Sequence, residues 1–280
     1  VTGPAPRVGF VGLGNIGKPM ALRLAASALP LHVYDVAPAP LAELAAAGAE
    51  VAGSVAEAAA AVDVLCVMVR DDDQVREVLA EALPVARDGL TVVVHSTVAP
   101  GTPGELADLA ARHGVQVLDA PVSGGAMGAA DGTLAILVGG EDAAFAAARP
   151  ALEVMGAKVV HAGPIGAGTR FKLARNLMHF VAFTAATEAQ RLAEAAGLDL
   201  RALGDVVRHT DAITGGPGAI MHRETTAPIA PDDFWHGVFS HVVALGEKDL
   251  GFAVALADEL GVDVPLARLA EQRLREGLGL

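Results

Sequence analysis

The chain has few of the residues that would place it outside the cell, in a membrane or on nucleic acid. It carries one cysteine, Cys66, set in an apolar run. No internal disulfide can form, and a reducing cytoplasm is expected. No stretch of roughly 18 apolar residues escapes charge or helix breakers. Alanine supplies much of the 52% hydrophobic fraction, so no membrane is expected. Val1–Pro6 has neither a basic start nor an apolar centre, and no signal peptide is expected. The 9 histidines show no ligand spacing. His236 and His241 are five apart and do not share a helix face, so no metal is expected. Basic residues are outnumbered 20 to 33, giving a net charge of −13. That argues against a nucleic-acid surface and leaves room for the local positive pocket a small anion needs. There is no internal repeat.

The first informative stretch is Arg7 to Met20. An apolar run, Val8 to Val11, reads as a buried strand. It breaks into Gly12-Leu13-Gly14-Asn15-Ile16-Gly17, and a helical pattern follows. Strand, glycine turn and helix in that order give a dinucleotide-binding reading. Gly12 permits the tight turn, Gly14 lets a pyrophosphate reach the backbone, and Gly17 lets the helix pack close. The phosphates would sit on free N–H groups at the positive end of the helix. A second strand, Leu31 to Tyr34, ends in Asp35, an acid placed to accept from both ribose hydroxyls.

The pattern repeats along the chain. Helices are expected over Leu41–Ala47, Asp72–Leu83, Glu105–His113 and Asp142–Met155. Strands are expected over Asp63–Val69, Leu90–Val94, Val115–Leu118, Leu134–Val138 and Lys158–His161. Such alternation implies a mostly parallel sheet covered on both faces. Val69, Arg70, Ser96, Thr97 and the segment Asp119–Gly125 then belong at the carboxyl edge, where ligands bind. The character changes after Gly163. Ala167 to Ala196 reads as one helix, roughly 45 Å long if unbroken. Phe171, Leu173, Leu177, Phe180, Val181, Phe183 and Leu192 put apolar surface on more than one of its faces. It is expected to bridge domains and subunits, which implies a homodimer or homotetramer. Leu200–His209, Phe239–Leu260 and Leu266–Leu278 also read helical, with a Gly- and Pro-rich loop over Ile213–Asp233. The expected fold is α/β: a Rossmann-type dinucleotide-binding domain over residues 1–163, then the long helix and an all-α C-terminal domain over 164–280.

Lys172 and Asn176 are four apart on the long helix and share a face. A lysine there, with its pKa lowered by burial, can pass a proton near neutral pH. Spacing alone leaves an ordinary solvated lysine equally open.

Five segments in order resemble the β-hydroxyacid dehydrogenases, the 3-hydroxyisobutyrate dehydrogenase group. They are Gly9–Met20, His95–Pro100, Asp119–Gly125, the run from Gly166 through Lys172 to Asn176, and Lys248-Asp249-Leu250. The likeness covers nearly the whole chain, from Val8 to about Arg275. It implies that Lys172 is the catalytic acid/base. It implies that Ser123, Gly124, Gly125, Asn176 and Lys248 hold a small carboxylate substrate. Gly12, Leu13, Gly14, Asn15, Ile16, Gly17, Asp35, Val69, Arg70, Thr97 and Lys248 would contact the cofactor. The implied reaction passes a hydride between a 3-hydroxy acid and the dinucleotide. NAD is expected over NADP, because Asp35 repels a 2′-phosphate and no arginine follows it in Asp35-Val36-Ala37-Pro38. Three positions depart from the family pattern: Arg175 where asparagine is usual, His241 near a usual phenylalanine, and His95 in place of aspartate. Arg175 could clamp a second anionic group or point to solvent. An imine reductase and a dormant cofactor-binding module are the alternatives, and Lys172 counts against both.

Overall fold

The computed structural model describes residues 5–280, so most of the Val1–Pro6 reading lies outside the described residues. Strands and helices alternate from the start: β1 (Val8–Val11), α1 (Gly17–Ala25), β2 (Leu31–Tyr34), α2 (Pro38–Ala46), β3 (Glu50–Val51), α3 (Val55–Ala61), β4 (Val64–Val67), α4 (Asp72–Ala82), β5 (Thr91–Val94), α5 (Thr102–Ala111) and β6 (Gln116–Asp119). Then come β7 (Val122–Ser123), α6 (Gly125–Asp131), β8 (Ala135–Gly139), α7 (Asp142–Met155) and β9 (Lys158–Gly163). Everything later is helical: α8 (Ala167–Ala195), α9 (Leu200–Thr214), a 3-10 turn over Gly216–Ile220, α10 (Phe234–Leu260) and α11 (Pro265–Gly277).

The sheet runs β3-β2-β1-β4-β5-β6-β8, and the first six of these strands are parallel. The order reverses between β1 and β4, which leaves a crevice beyond their carboxyl ends. β6 and β7 form one antiparallel register along β8, with Asp119 opposite Gly139 and Ser123 opposite Ala135. β9 pairs parallel with the other edge of β8.

Alternation along each strand feeds two cores. Val8, Phe10, Val64, Cys66, Val93 and Leu118 pack on one face with Met20, Leu24, Ala148 and Leu152. Val11, Leu65, Val67, Val92, Val94 and Val117 pack on the other with Val75, Leu79, Leu106 and Ala110. Both faces are dry, and that accounts for the near-continuous apolar runs in the sequence.

Four elements escape the sequence pattern. β3, β7 and α6 are too short to show a period. α3 is an alanine run whose start is fixed by Ser54 Oγ accepting the Glu57 N–H at 3.1 Å. α10 begins at Phe234 rather than Phe239, because the Asp233 carboxylate accepts the Trp235 N–H at 2.8 Å and sets the start there.

The chain divides into two compact units within α8, the first ending at Arg175 and the second covering Asn176–Leu280. At the end of the first unit, Asp119 accepts N–H bonds from Gly166 at 2.7 Å and Thr169 at 2.6 Å. These are orphan donors of the first turn of α8. Gly168 lies so close to the sheet that a Cβ would stand 2.1 Å from the Leu137 carbonyl oxygen. The second unit has a small core of Ile229, Phe239, Val243 and Leu278. Its buried Glu188 accepts the N–H groups of Leu266 at 2.8 Å and Ala267 at 2.9 Å, capping α11. No helix among the described residues is long and apolar enough to cross a membrane.

His95, just past β5, is 1% exposed and stacks on Phe10 at 6.2 Å. Its Nδ1–H donates to the Ala120 carbonyl oxygen at 2.9 Å, which joins the end of β5 to the turn after β6. Burial pushes its pKa down to about 4. The unfolded chain therefore takes up a proton near pH 6.5 that the folded chain refuses until about pH 4. This contribution is whole above pH 6.5 and shrinks as pH falls through that window, by about 3 kcal/mol in total. Asp119, raised by burial, pulls the other way. Urea midpoints measured from pH 7 to pH 4 should fall steeply for the wild type and less steeply for His95→Asn. Equal slopes would remove His95 as the cause.

Candidate active site

At the reversal of the sheet, β1, β2 and β4 end around a cleft of about 490 Å³. Its floor is Gly12, Gly14, Asn15, Ile16 and Gly17. Its walls include Asp35, Met68, Val69 and Arg70. Gly17 is required by the fold, since a Cβ there would stand 2.0 Å from the Gly12 carbonyl oxygen. Gly14 differs: a Cβ there would meet nothing within 4 Å. The protein leaves that space open, as a pyrophosphate resting on the backbone requires. Helix α1 has no side-chain cap and no acid in its first turn, so its N-terminal dipole faces the cleft uncompensated. These features fit a dinucleotide.

Asp35 ties the floor to the wall. One carboxylate oxygen accepts the Leu13 N–H at 2.5 Å and the other accepts the Ala37 N–H at 2.7 Å. Each oxygen keeps a lone pair for a ribose hydroxyl. Ser96 locks the neighbouring edge, its Oγ accepting the Val69 N–H at 2.9 Å and donating to the Val69 carbonyl at 2.8 Å. The Arg70 side chain is largely exposed and paired with Asp71 at 2.8 Å. Thr97 is exposed at the end of β5, and Leu13 turns into the core; neither lines this cleft. Sequence reasoning missed the wall supplied by Val55, Gln74, Val78, Glu77 and Glu81. Only the packing of α4 beside β4 brings those last four round to the cleft.

The residues expected to hold the substrate come later in the chain, from β7 onward. Ser123, in β7, is half-buried, and Gly124 and Gly125 follow with φ of 135° and 63°. A Cβ on Gly125 would meet nothing within 4 Å, so this loop too presents open backbone. Lys172 is 8% exposed, one helical turn beyond the anchored Gly168. Burial lowers its pKa, and the Arg175 charge lowers it further. It is therefore not the solvated lysine that spacing alone allowed. Asn176 follows one turn later on α8, at the start of the second unit, and is half-buried. Lys248, on α10, is exposed and paired with Asp249 at 3.2 Å; His241 is also exposed. No cluster of His, Cys, Asp and Glu among the described residues has the makings of a metal site.

Residues 7–163 match the family model described as the NAD binding domain of 6-phosphogluconate dehydrogenase. Residues 166–279 match the one described as NAD-binding of NADP-dependent 3-hydroxyisobutyrate dehydrogenase. A 3-hydroxyisobutyrate dehydrogenase from Pseudomonas aeruginosa is 35% identical over 94% of this chain and 89% of its own. The chain belongs to the β-hydroxyacid dehydrogenase family. It is an oxidoreductase with a nicotinamide-dinucleotide-binding Rossmann domain, as its cleft leads one to expect. An uncharacterized oxidoreductase of Mycobacterium tuberculosis is more similar, 49% identical over 98% of this chain and 94% of its own. A crystal structure of an oxidoreductase from Mycobacterium avium, also 49% identical, superposes with a TM-score of 0.95 and covers 98% of this chain and 99% of that one. An imine reductase from Myxococcus stipitatus shares the fold at 22% identity and a TM-score of 0.78, covering 99% and 96% of the two chains.

The two kinds of glycine separate in a paired substitution. Gly17→Ala should destabilise the protein by about 1–3 kcal/mol, because the new methyl meets backbone. Gly14→Ala should keep the wild-type urea midpoint and weaken NADH binding by about tenfold or more in a fluorescence titration. Wild-type affinity in Gly14→Ala would show that the turn does not carry the pyrophosphate.

Proposed function

We propose that the protein oxidises the hydroxyl of a small 3-hydroxy carboxylate, or reduces the matching semialdehyde, with NAD and with Lys172 as general acid/base. The burial of Lys172 carries this reading. An ammonium held out of water gives up its proton more readily than a free lysine, as a base near neutral pH must. The substrate carboxylate is held by the Ser123 hydroxyl and the N–H groups of Gly124 and Gly125, a small concave nest of donors. Lys172 removes the hydroxyl proton during oxidation and returns one to the carbonyl oxygen during reduction. The bound dinucleotide supplies the hydride acceptor or donor. Asn176 and Lys248 complete the substrate contacts by family likeness, and Lys248 with Thr97 the cofactor contacts.

NAD is favoured over NADP by charge. Asp35, Glu77 and Glu81 make the cleft wall acidic, and Arg70, the one cationic lining residue among the described residues, is already paired with Asp71. A 2′-phosphate would bring two further negative charges. A reducing cytoplasm suits Cys66, whose thiol is buried and pushed up to about 12.

The protein works as a homodimer or homotetramer on this reading. Leu177, Phe180, Val181 and Phe183 on α8, and Phe252 on α10, are each at least 48% exposed. An exposed apolar surface of that kind supports a subunit interface there. Light scattering should return a multiple of the 28.3 kDa chain mass. A monomer at micromolar concentration would refute it.

Turnover with a panel of 3-hydroxy acids tests the chemistry. Lys172→Ala should lose about 10²–10⁴-fold in kcat and keep its NAD affinity. Oxidation by the wild type should rise with pH through a limb set below the ordinary lysine value of 10.5, since the base must be neutral. NADP should give the lower kcat/KM. Turnover of cyclic imines alone would favour the imine reductase reading. Cofactor binding with no turnover of acids, aldehydes or imines would mark a dormant module.

A further inference from the structure

One wall of the cofactor cleft is a strip of backbone that lies just beyond the sheet. Met68, Val69 and Arg70 line the cleft, but β4 ends at Val67 and β5 at Val94. The two strands are parallel, with Val67 opposite Val94, and their last backbone rung is the His95 N–H donating to the Val67 carbonyl at 2.8 Å. One further rung of a parallel ladder would send the Val69 N–H to the His95 carbonyl and the Thr97 N–H to the Val69 carbonyl. Neither bond is made among the described residues. Ser96, the residue opposite Val69 in that register, supplies a side chain instead. Its Oγ accepts the Val69 N–H at 2.9 Å and donates to the Val69 carbonyl at 2.8 Å. A hydroxyl carries one donor and two lone pairs, so one side chain satisfies both backbone groups. Ser96 is buried, and bulk water does not compete for that hydroxyl.

The rest of the strip is tied down as well. The Met68 N–H donates to the Val11 carbonyl at 2.9 Å, and the Arg70 N–H donates to Gln74 Oε1 at 3.0 Å. On the β1 side the strip packs so closely that a Cβ on Gly12 would stand 2.2 Å from the Met68 carbonyl oxygen. Three consecutive N–H groups are thus used inside the protein, and Val69 keeps a carbonyl lone pair for a ligand. Val11 and Gln74 line the cleft themselves, whereas Ser96 does not, so Ser96 acts on a ligand only through Val69. We propose that Ser96 is a positioning residue for the dinucleotide. Its hydroxyl extends the β4–β5 edge by one residue and holds Val69 and Arg70 in the binding arrangement before the cofactor arrives. A wall ordered in advance removes an ordering cost from binding. The inference goes beyond the hydroxy-acid reading and rests only on the cleft as the dinucleotide site.

Binding tests the assignment without turnover. Ser96→Ala should bind NADH about tenfold more weakly in a fluorescence titration, since the cofactor must then order a loosened wall. Val92→Ala removes buried methyl groups from the same strand without touching the wall, and serves as the control. It should lower the urea midpoint and keep the wild-type affinity. Wild-type affinity in Ser96→Ala would overturn the proposal. An equal loss in Val92→Ala would do so too, because the effect would then be one of stability alone. Amide hydrogen exchange of the wild type decides even if Ser96→Ala fails to fold. Without NADH, the Val69 amide should exchange about as slowly as the Val67 amide, although it lies beyond the strand, and adding NADH should slow the two alike. A Val69 amide protected only once NADH is bound would show that the cofactor, and not Ser96, orders the wall.

Discussion

The structure depends on one buried carboxylate. Asp119 ends β6 and holds the first N–H groups of α8, so the helix that carries Lys172 is fixed directly to the sheet that carries the cofactor cleft. Its geometry is over-determined. The acid caps the helix, the missing side chain of Gly168 lets the backbone touch Leu137, and Asp119 pairs with Gly139 across the antiparallel step. Burial raises the carboxyl, and the two N–H bonds draw it back toward the charged form. A carboxylate facing the positive end of a long helix is well placed electrostatically. The same bonds that orient α8 also offset the cost of burying the acid.

The Rossmann half was legible because its signals are local. A glycine turn between an apolar strand and a helix, with an acid at the next strand end, needs only neighbouring residues to be read. Alternating burial on two faces followed from the strand sequences themselves, and Val64–Val67 and Thr91–Val94 are buried throughout. What escaped was tertiary. Asp119 looks in sequence like one more strand end, and its partners lie 47 and 50 residues away. Glu77 and Glu81 sit on an ordinary amphipathic helix, and only the path from β4 to α4 turns them to the cleft. His95 stood out as a departure from the family pattern. That it donates to Ala120, and so belongs to the frame, could not be seen from spacing.

Lys172 shows how sequence and structure divide the labour. Periodicity put it on a face with Asn176 and left its solvation open. Burial settles that, and burial is a property of where α8 begins. If α8 started a residue later, the 100° rotation per residue would carry the lysine off the sheet side. The anchor at Gly166 and Thr169 therefore sets the burial of a residue it does not touch.

Charge distribution completes the picture. The cleft wall is acidic at Asp35, Glu77 and Glu81, while the first half of α8 is free of acids. The buried Lys172 ammonium loses hydration, and the Arg175 charge beside it makes its protonated form less favourable still. No aspartate or glutamate lies on that helix before Glu188. Negative charge thus gathers on the cleft wall and positive charge on the first half of α8, so these two parts of the chain differ in sign.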